Sequence, residues 1–381
     1  MKHNWEYKRL GDLCNISSSR RVLQSDWKES GVPFYRAREI VKLSENGFVN
    51  NELFISENLY DELAKSGIPQ AGDIMLSAVG TLGATYIVKP TDKFYYKDAS
   101  VICLSKISDL QPKFLCYLFD SNIILHQIDR QAKGATVGTI TISNASKFKV
   151  PVPDYKVQEQ IVAELDKINE TIEDCRELLR ILDALAQSLF YDTFGDPITN
   201  PKGWPLYKLS SISQLINGRA YKQNELLDEG KYKVIRVGNF FTNSDYYYSD
   251  LELSPEKYID YGDLIFAWSA SFGAFIWQGD KVIYHYHIWK ILFDDNLLNK
   301  IFYKFLLNEM SSSFMKDLHG IGMMHLTKVG MENYMLPIPP LALQEKFAAR
   351  IEQIEEQKKA VEQTIAELQT LLDSRMDYWF N

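Results

Sequence analysis

The sequence predicts a mixed α/β (α+β) protein. It has two similar lobes separated by two long antiparallel helices, a coiled-coil spacer, and an internal pseudo-two-fold repeat. Three observations predict this. The chain of 381 residues repeats itself at an offset that drifts from about 200 to 186. Each copy ends in a long segment with one narrow apolar stripe. The rest of each copy mixes alternating apolar patches with short amphipathic segments.

The repeat comes first. Trp5-x-x-x-x-Leu10 matches Trp204-x-x-x-x-Leu209, and Arg20 matches Arg219, at an offset of 199. VPFYRAREI, with Arg36, lies opposite KVIRVGNFF, with Arg236, at 200. Gly72-Asp73 pairs with Gly262-Asp263, and Gly83 with Gly273, at 190. Gly134 pairs with Gly320, and Gln158-Glu159 with Gln344-Glu345, at 186. The landmarks keep their order, and the shrinking offset marks loop residues lost from the second copy, where deletion costs least. A period near 190 residues is a duplicated domain rather than a solenoid.

The helices follow from periodicity. Ile161, Leu165, Ile168, Ile172, Leu179 and Leu182 recur at helical spacing in the first copy. Phe347, Ile351, Ile354, Val361, Ile365 and Leu368 do so in the second, with Lys358 standing where the first has Ile172. Both segments start after proline, and Asp154 is the expected N-cap of the first. A run of about 33 residues would be about 50 Å long, and a narrow stripe sustained that far favours a partner helix over a globular core. The expected organisation is a lobe over 1–152, a helix over 153–194, a joint and second lobe over 195–336, and a helix over 337–381. Within the lobes, VPFYRAREI, ATYIV, SVICL, DLIFAW and KVIYHYHIWKILF read as strands. PKFLCYLFDSNIILHQI and NKIFYKFLLNEMSSSFM read as short helices.

The joint FGDPITNPKGWP, Phe194 to Pro205, matches both ends of the chain. The segment before it, SLFYDTF, corresponds to SRMDYWF at the C-terminus, and NPKGW corresponds to KHNW at the N-terminus. The repeat therefore predicts that Met1 and Asn381 lie near each other.

Composition limits the function. Formal net charge is −8, yet residues 1–150 carry 19 Lys and Arg against 16 Asp and Glu, and the acid excess sits in the helical segments. An anionic partner for the lobes is therefore allowed. Four scattered cysteines without a CxxC, an N-terminus without an apolar signal core, and a longest apolar run too short for a bilayer predict a cytoplasmic protein with no membrane partner.

Catalytic motifs are not legible. There is no GxxxxGK[ST] loop, and GIGMMH lacks the third glycine of a dinucleotide loop. No Asn/Asp-Pro-Pro-Tyr/Phe segment marks an amino-methyltransferase, and Pro153-Asp154 is followed by no nuclease-type Glu-x-Lys. His285 and His287 alternate, but two ligands are too few for zinc. No catalytic residue and no metal site is assigned.

The lobes do supply side chains suited to DNA. The first offers Arg20, Arg21, Arg36, Arg38, Lys133 and Thr136; the second offers Arg219, Tyr221, Lys222, Arg236, Asn239, Tyr246 and His325. Arg, Lys and Asn read base edges, while Thr, Tyr and Lys serve phosphates. Recurrence of Arg20 with Arg219 and of Arg36 with Arg236 strengthens those pairs. The competing reading is that matched arginines persist for the fold, as salt bridges inside each lobe.

Two variable lobes, each closed by a glycine-bearing segment such as HGIGMMHLTK, then LPIPPLALQEKFAARI and a long helix, resemble the specificity subunits of type I restriction–modification enzymes. FGDPITNPKGWPLYKL resembles the conserved joint of that family, and GDIMLSAVGTLG and VPVPDYKVQEQIVAEL fit it too. The departure is VPVPDY, where the family more often has a second proline and Leu. The resemblance covers essentially the whole chain. It implies two target-recognition domains that each read half of a split double-stranded DNA sequence. It implies helices that set the spacing and dock two modification (methyltransferase) subunits, with restriction/translocase subunits completing the complex. S-adenosylmethionine, ATP and Mg would belong to those partners, and this chain would hold no cofactor. The alternatives are a stand-alone DNA-binding or decoy protein of the same fold, or a coiled-coil scaffold that binds proteins.

Overall fold

The computed structural model describes residues 3–132, 138–242, 245–269, 271–316 and 327–380. The chain forms two compact units, Met1–Arg176 with Gln363–Asn381, and Glu177–Glu362.

In the first unit a four-stranded antiparallel sheet runs in the order Asn15–Ser17, Val101–Ser105, Ile74–Ser77, Thr85–Ile87. Beside it Val32–Tyr35 pairs antiparallel with Phe54–Ile55 and parallel with Tyr95–Tyr96. The second unit repeats this order. Ser213–Asn217, Ile288–Phe293, Leu264–Ser269 and Ser271–Ile276 form the first sheet. Tyr232–Ile235 pairs antiparallel with Tyr247–Ser249 and parallel with Val282–Tyr284, which adds Tyr258–Ile259. The duplication read from the landmarks is thus a duplication of topology, and the sheets are mixed.

Two strand expectations change. VPFYRAREI is a strand only to Tyr35, and a helix runs from Ala37 to Asn46. The switch is made by Glu39, whose carboxylate accepts from the Arg36 backbone N–H at 2.9 Å and so caps the first turn. KVIYHYHIWKILF is two strands, Val282–Tyr284 and Ile288–Phe293. Ile288 N–H donates to the His285 carbonyl at 3.0 Å, so His285–His287 form a turn.

The long helices are Tyr155–Phe194 and Leu341–Phe380, each of 40 residues and so about 60 Å long. Their last turns are core: Phe190, Phe194 and Phe380 are buried. Both stripes also differ along their length. Ile161 and Leu165 belong to the core of the first unit, and Leu182, Phe347, Ile351 and Ile354 to that of the second. Ile168 and Ile172 are buried, whereas Leu179, Val361, Ile365 and Leu368 are half-buried. In the second unit Phe194 packs on Phe347 at 5.2 Å between ring centroids, and Lys358 Nζ lies 2.7 Å from Asp183 Oδ1. One number rises as the other falls, so the helices are antiparallel there.

Each helix is fixed to its lobe by a buried glutamine. Gln158 accepts from Gln111 N–H at 2.8 Å and donates to the carbonyls of Asp109 at 2.7 Å and Pro153 at 2.9 Å. Gln344 accepts from Asn299 N–H at 2.9 Å and donates to Leu297 at 3.0 Å and Pro339 at 2.7 Å. Asp154 precedes the first helix, with its carbonyl accepting from Val157 and Gln158.

The helix C-termini are also capped alike. At the joint, Lys202 Nζ donates to the carbonyls of Asp192 at 2.6 Å and Thr193 at 2.9 Å, placing a cation on the negative end of the helix. Gly195, at φ +79°, continues the chain in the left-handed region. At the second helix His3 Nε2 lies 3.0 Å from the Tyr378 carbonyl, and its ring stacks on Trp5 and Trp379. Tyr378 corresponds to Asp192 in the repeat, and His3 to Lys202. The expectation for Met1 and Asn381 falls on residues outside the described set.

Candidate nucleic-acid interface

In the first unit the strand Val32–Tyr35 delivers Arg36 to a buried carboxylate. Glu39 is 2% exposed and accepts both Arg36 Nε at 3.1 Å and Nη2 at 2.9 Å. Arg38 donates to the same carboxylate and also pairs with Glu52. Burial pushes the Glu39 carboxyl up, but the two guanidinium groups outweigh it and hold it below the ordinary carboxylate range. Arg36 is therefore engaged in the fold, whereas the Arg38 side chain is about half exposed.

Both arginines line a cleft of about 650 Å³ together with Lys42, Lys97, Thr81 and Ser100, with Glu45 among its walls. Lys42 and Lys97 make no ion pair among the described residues; the Lys97 ammonium lies 5.8 Å from the Trp27 ring. Val79, also in the wall, bridges to Thr139, which ties the chain following KGAT beside the cleft. Lys133 and Thr136 themselves lie outside the described residues. Arg20 and Arg21 do not line it. Arg20 faces Ser66 at 3.4 Å and Glu62 at 4.0 Å, and Arg21 is exposed.

In the second unit the loop before Tyr221 is set by a close approach. A Cβ on Gly218 would lie 2.3 Å from the Tyr284 carbonyl oxygen and 2.4 Å from that of His285. Arg219 then forms a bidentate pair with Glu225 at 2.9 and 2.8 Å, and its guanidinium covers Tyr221 at 5.3 Å. That pair, with the Lys222 backbone N–H, pulls the Glu225 carboxyl down to about 2. The Lys222 side chain is exposed. Tyr221 stacks on His285 at 6.5 Å, and burial raises its hydroxyl pKa.

A second group forms after the strand Tyr232–Ile235. Arg236 N–H donates to Asn239 Oδ1 at 2.8 Å, repeating the Arg36–Glu39 contact. Its guanidinium lies 4.2 Å from the Tyr247 ring, and its Nε is buried without a hydrogen-bond partner among the described residues. Tyr246 is 37% exposed, with Lys233 Nζ 5.2 Å from its ring. Burial first, then His287 and Arg236, push the His285 imidazole down to about 4, so it is uncharged at neutral pH. His325 lies outside the described residues.

The matched arginines thus sit at matched places, and all four have acid or aromatic partners inside their lobes, Arg20 the loosest at 4.0 Å. Sequence reasoning missed Lys42, Lys97 and Tyr286, an exposed ring at the His285–His287 turn. Lys97 and His285 occupy one position of the repeat, legible only once FYYKDAS is set against VIYHYHI.

Residues 2–181 and 201–370 match the family described as type I restriction modification DNA specificity domain. A putative type I restriction enzyme specificity subunit of Haemophilus influenzae is 29% identical over 161 residues, which span 42% of this chain and 38% of that protein. The MjaVIII specificity subunit of Methanocaldococcus jannaschii is 22% identical over 392 residues, covering 92% of this chain and 86% of its own. The crystal structure of the type I restriction–modification S subunit from M. genitalium shares the fold, with a TM-score of 0.54 at 15% identity and coverage of 99% and 96%. With the family pattern matched across both copies, the chain belongs to the type I restriction–modification DNA specificity family and carries two of its specificity domains in one polypeptide.

Proposed function

We propose that this chain is the specificity subunit of a type I restriction–modification complex and reads a bipartite, asymmetric duplex target, one half with each lobe. The observation that carries the reading is the duplication itself: one strand order appears twice, with different side chains at matched surface positions. Two copies of one reader with unlike surfaces suit two unlike half-sites. The chain contributes recognition and does no chemistry. Methyl transfer to adenine, with S-adenosylmethionine, belongs to two modification subunits; ATP- and Mg-dependent translocation and cleavage belong to restriction subunits. Leu178, Ile181 and Leu185 support docking of such partners, since they form an exposed apolar stripe on the first long helix.

Sequencing the host methylome with and without this gene tests the proposal. Deletion should erase one bipartite adenine-methylation motif. Retention of every such motif, while the cognate modification subunit is expressed, would overturn it.

A further inference from the structure

The two lobes can be superposed by their backbone hydrogen bonds rather than by sequence. Lys97 N–H donates to Tyr35 O at 2.8 Å, and His285 N–H donates to Ile235 O at 2.9 Å. Ala78 N–H donates to Ser100 O at 2.9 Å, and Trp268 N–H donates to His287 O at 3.1 Å. Strand register agrees, with Ser77 opposite Val101 and Ala267 opposite Ile288. Lys97 therefore corresponds to His285, Ser100 to His287, and Ala78 to Trp268. On the adjoining helix Arg38 corresponds to Gly238 and Lys42 to Thr242.

The chemistry at these places is opposite. The first lobe has a cleft with three cationic side chains that reach solvent, Arg38, Lys42 and Lys97. The second replaces all three with uncharged groups and builds an aromatic ledge. Tyr286 stands at the turn, 37% exposed, with its ring 4.4 Å from His285 and 3.9 Å from His287. Trp268 supports it from below, 5.1 Å from the His287 ring and donating its indole N–H to the Tyr286 carbonyl at 3.1 Å. Arg219, whose carbonyl accepts from Tyr286 N–H at 3.1 Å, is paired with Glu225, and Arg236 lies against the Tyr247 ring.

We infer that the two lobes engage duplex DNA by different physics: the first through phosphate contacts from Lys42 and Lys97, the second through apolar base edges in a groove packed on the Tyr286 ledge. This rests on the DNA-reading function proposed above. A cation on a phosphate releases counterions, so it gives salt-dependent affinity, about 0.9 in slope per contact. An aromatic ring against a base edge, such as the thymine methyl in the major groove, neutralises no phosphate and releases no counterion, so its share of the affinity does not follow salt.

The test titrates the full chain onto a duplex that it has itself selected from a random-sequence pool, and measures Kd over a salt series. The Lys42→Gln/Lys97→Gln variant should lower the slope of log Kd against log salt by about two. Tyr286→Ala should weaken binding about tenfold or more at every salt concentration with the slope unchanged, while Tyr286→Phe, which keeps the ring, should bind as the parent does. An unchanged slope in the lysine variant would overturn the inference, as would a Tyr286→Ala variant that binds normally or loses slope. Failure of the parent chain to select any duplex would overturn the DNA-reading function itself, a different result from either.

Discussion

Arg36 and Arg219 show how far single residues were legible. Their recurrence in both copies marked them for attention, but recurrence reports position rather than role. A buried Glu39 and a bidentate Glu225 claim them for the fold, because a carboxylate taken out of water must be paired. Lys42 and Lys97 were invisible for the converse reason: the second copy has Thr242 and His285 there, so no repeat announced them. Gly218 is the residue on which the second lobe's loop turns. Its missing side chain lets the backbone come within contact distance of two carbonyls. Gly218→Ala should displace Arg219 and Tyr221 and cost about 2 kcal/mol or more in denaturant unfolding. An unaltered melt would show that the loop yields freely.

At the scale of elements, the stripe gave both helices and their direction, since a 3.6-residue period survives any local noise. Their ends came from the repeat, in which SLFYDTF before the joint corresponds to SRMDYWF at the C-terminus. What the pattern did not show is that the lobes bury Phe190, Phe194 and Phe380 there, a tertiary effect. YHYHIW misled in the opposite sense, since alternation continues through a turn whose residues happen to be aromatic. Lys358 tests the packing of the second helix. Burial lowers its pKa, but the Asp183 hydrogen bond with the Glu355 charge raises it further, so the pair is formed at neutral pH. Asp183 itself is 65% exposed, so removing the lysine leaves no stranded charge. Lys358→Ile also relieves like-charge repulsion on Lys304. Its melting temperature should match or exceed the parent's; a loss worth about 3 kcal/mol or more would rule out this packing.

At the scale of the whole molecule, two copies of one topology carry unlike surfaces. Replacing residues 1–150 with the corresponding lobe of another family member should change one half of the methylated motif and leave the other intact. A change in both halves, read from the same methylome, would contradict independent reading. The attachment of each lobe makes that exchange physically reasonable. Among the described residues the hydrogen bonds of Gln158 and Gln344 to their lobes all go to main-chain N–H and C=O groups, and every polypeptide supplies those whatever its side chains. The socket is thus blind to sequence. Mutation can wander over a lobe's surface, and one lobe can be traded for another, without these hydrogen bonds having to coevolve, so long as the incoming core still receives Ile161, Leu165 and Phe380. A DNA specificity subunit gains an evolutionary freedom from that blindness.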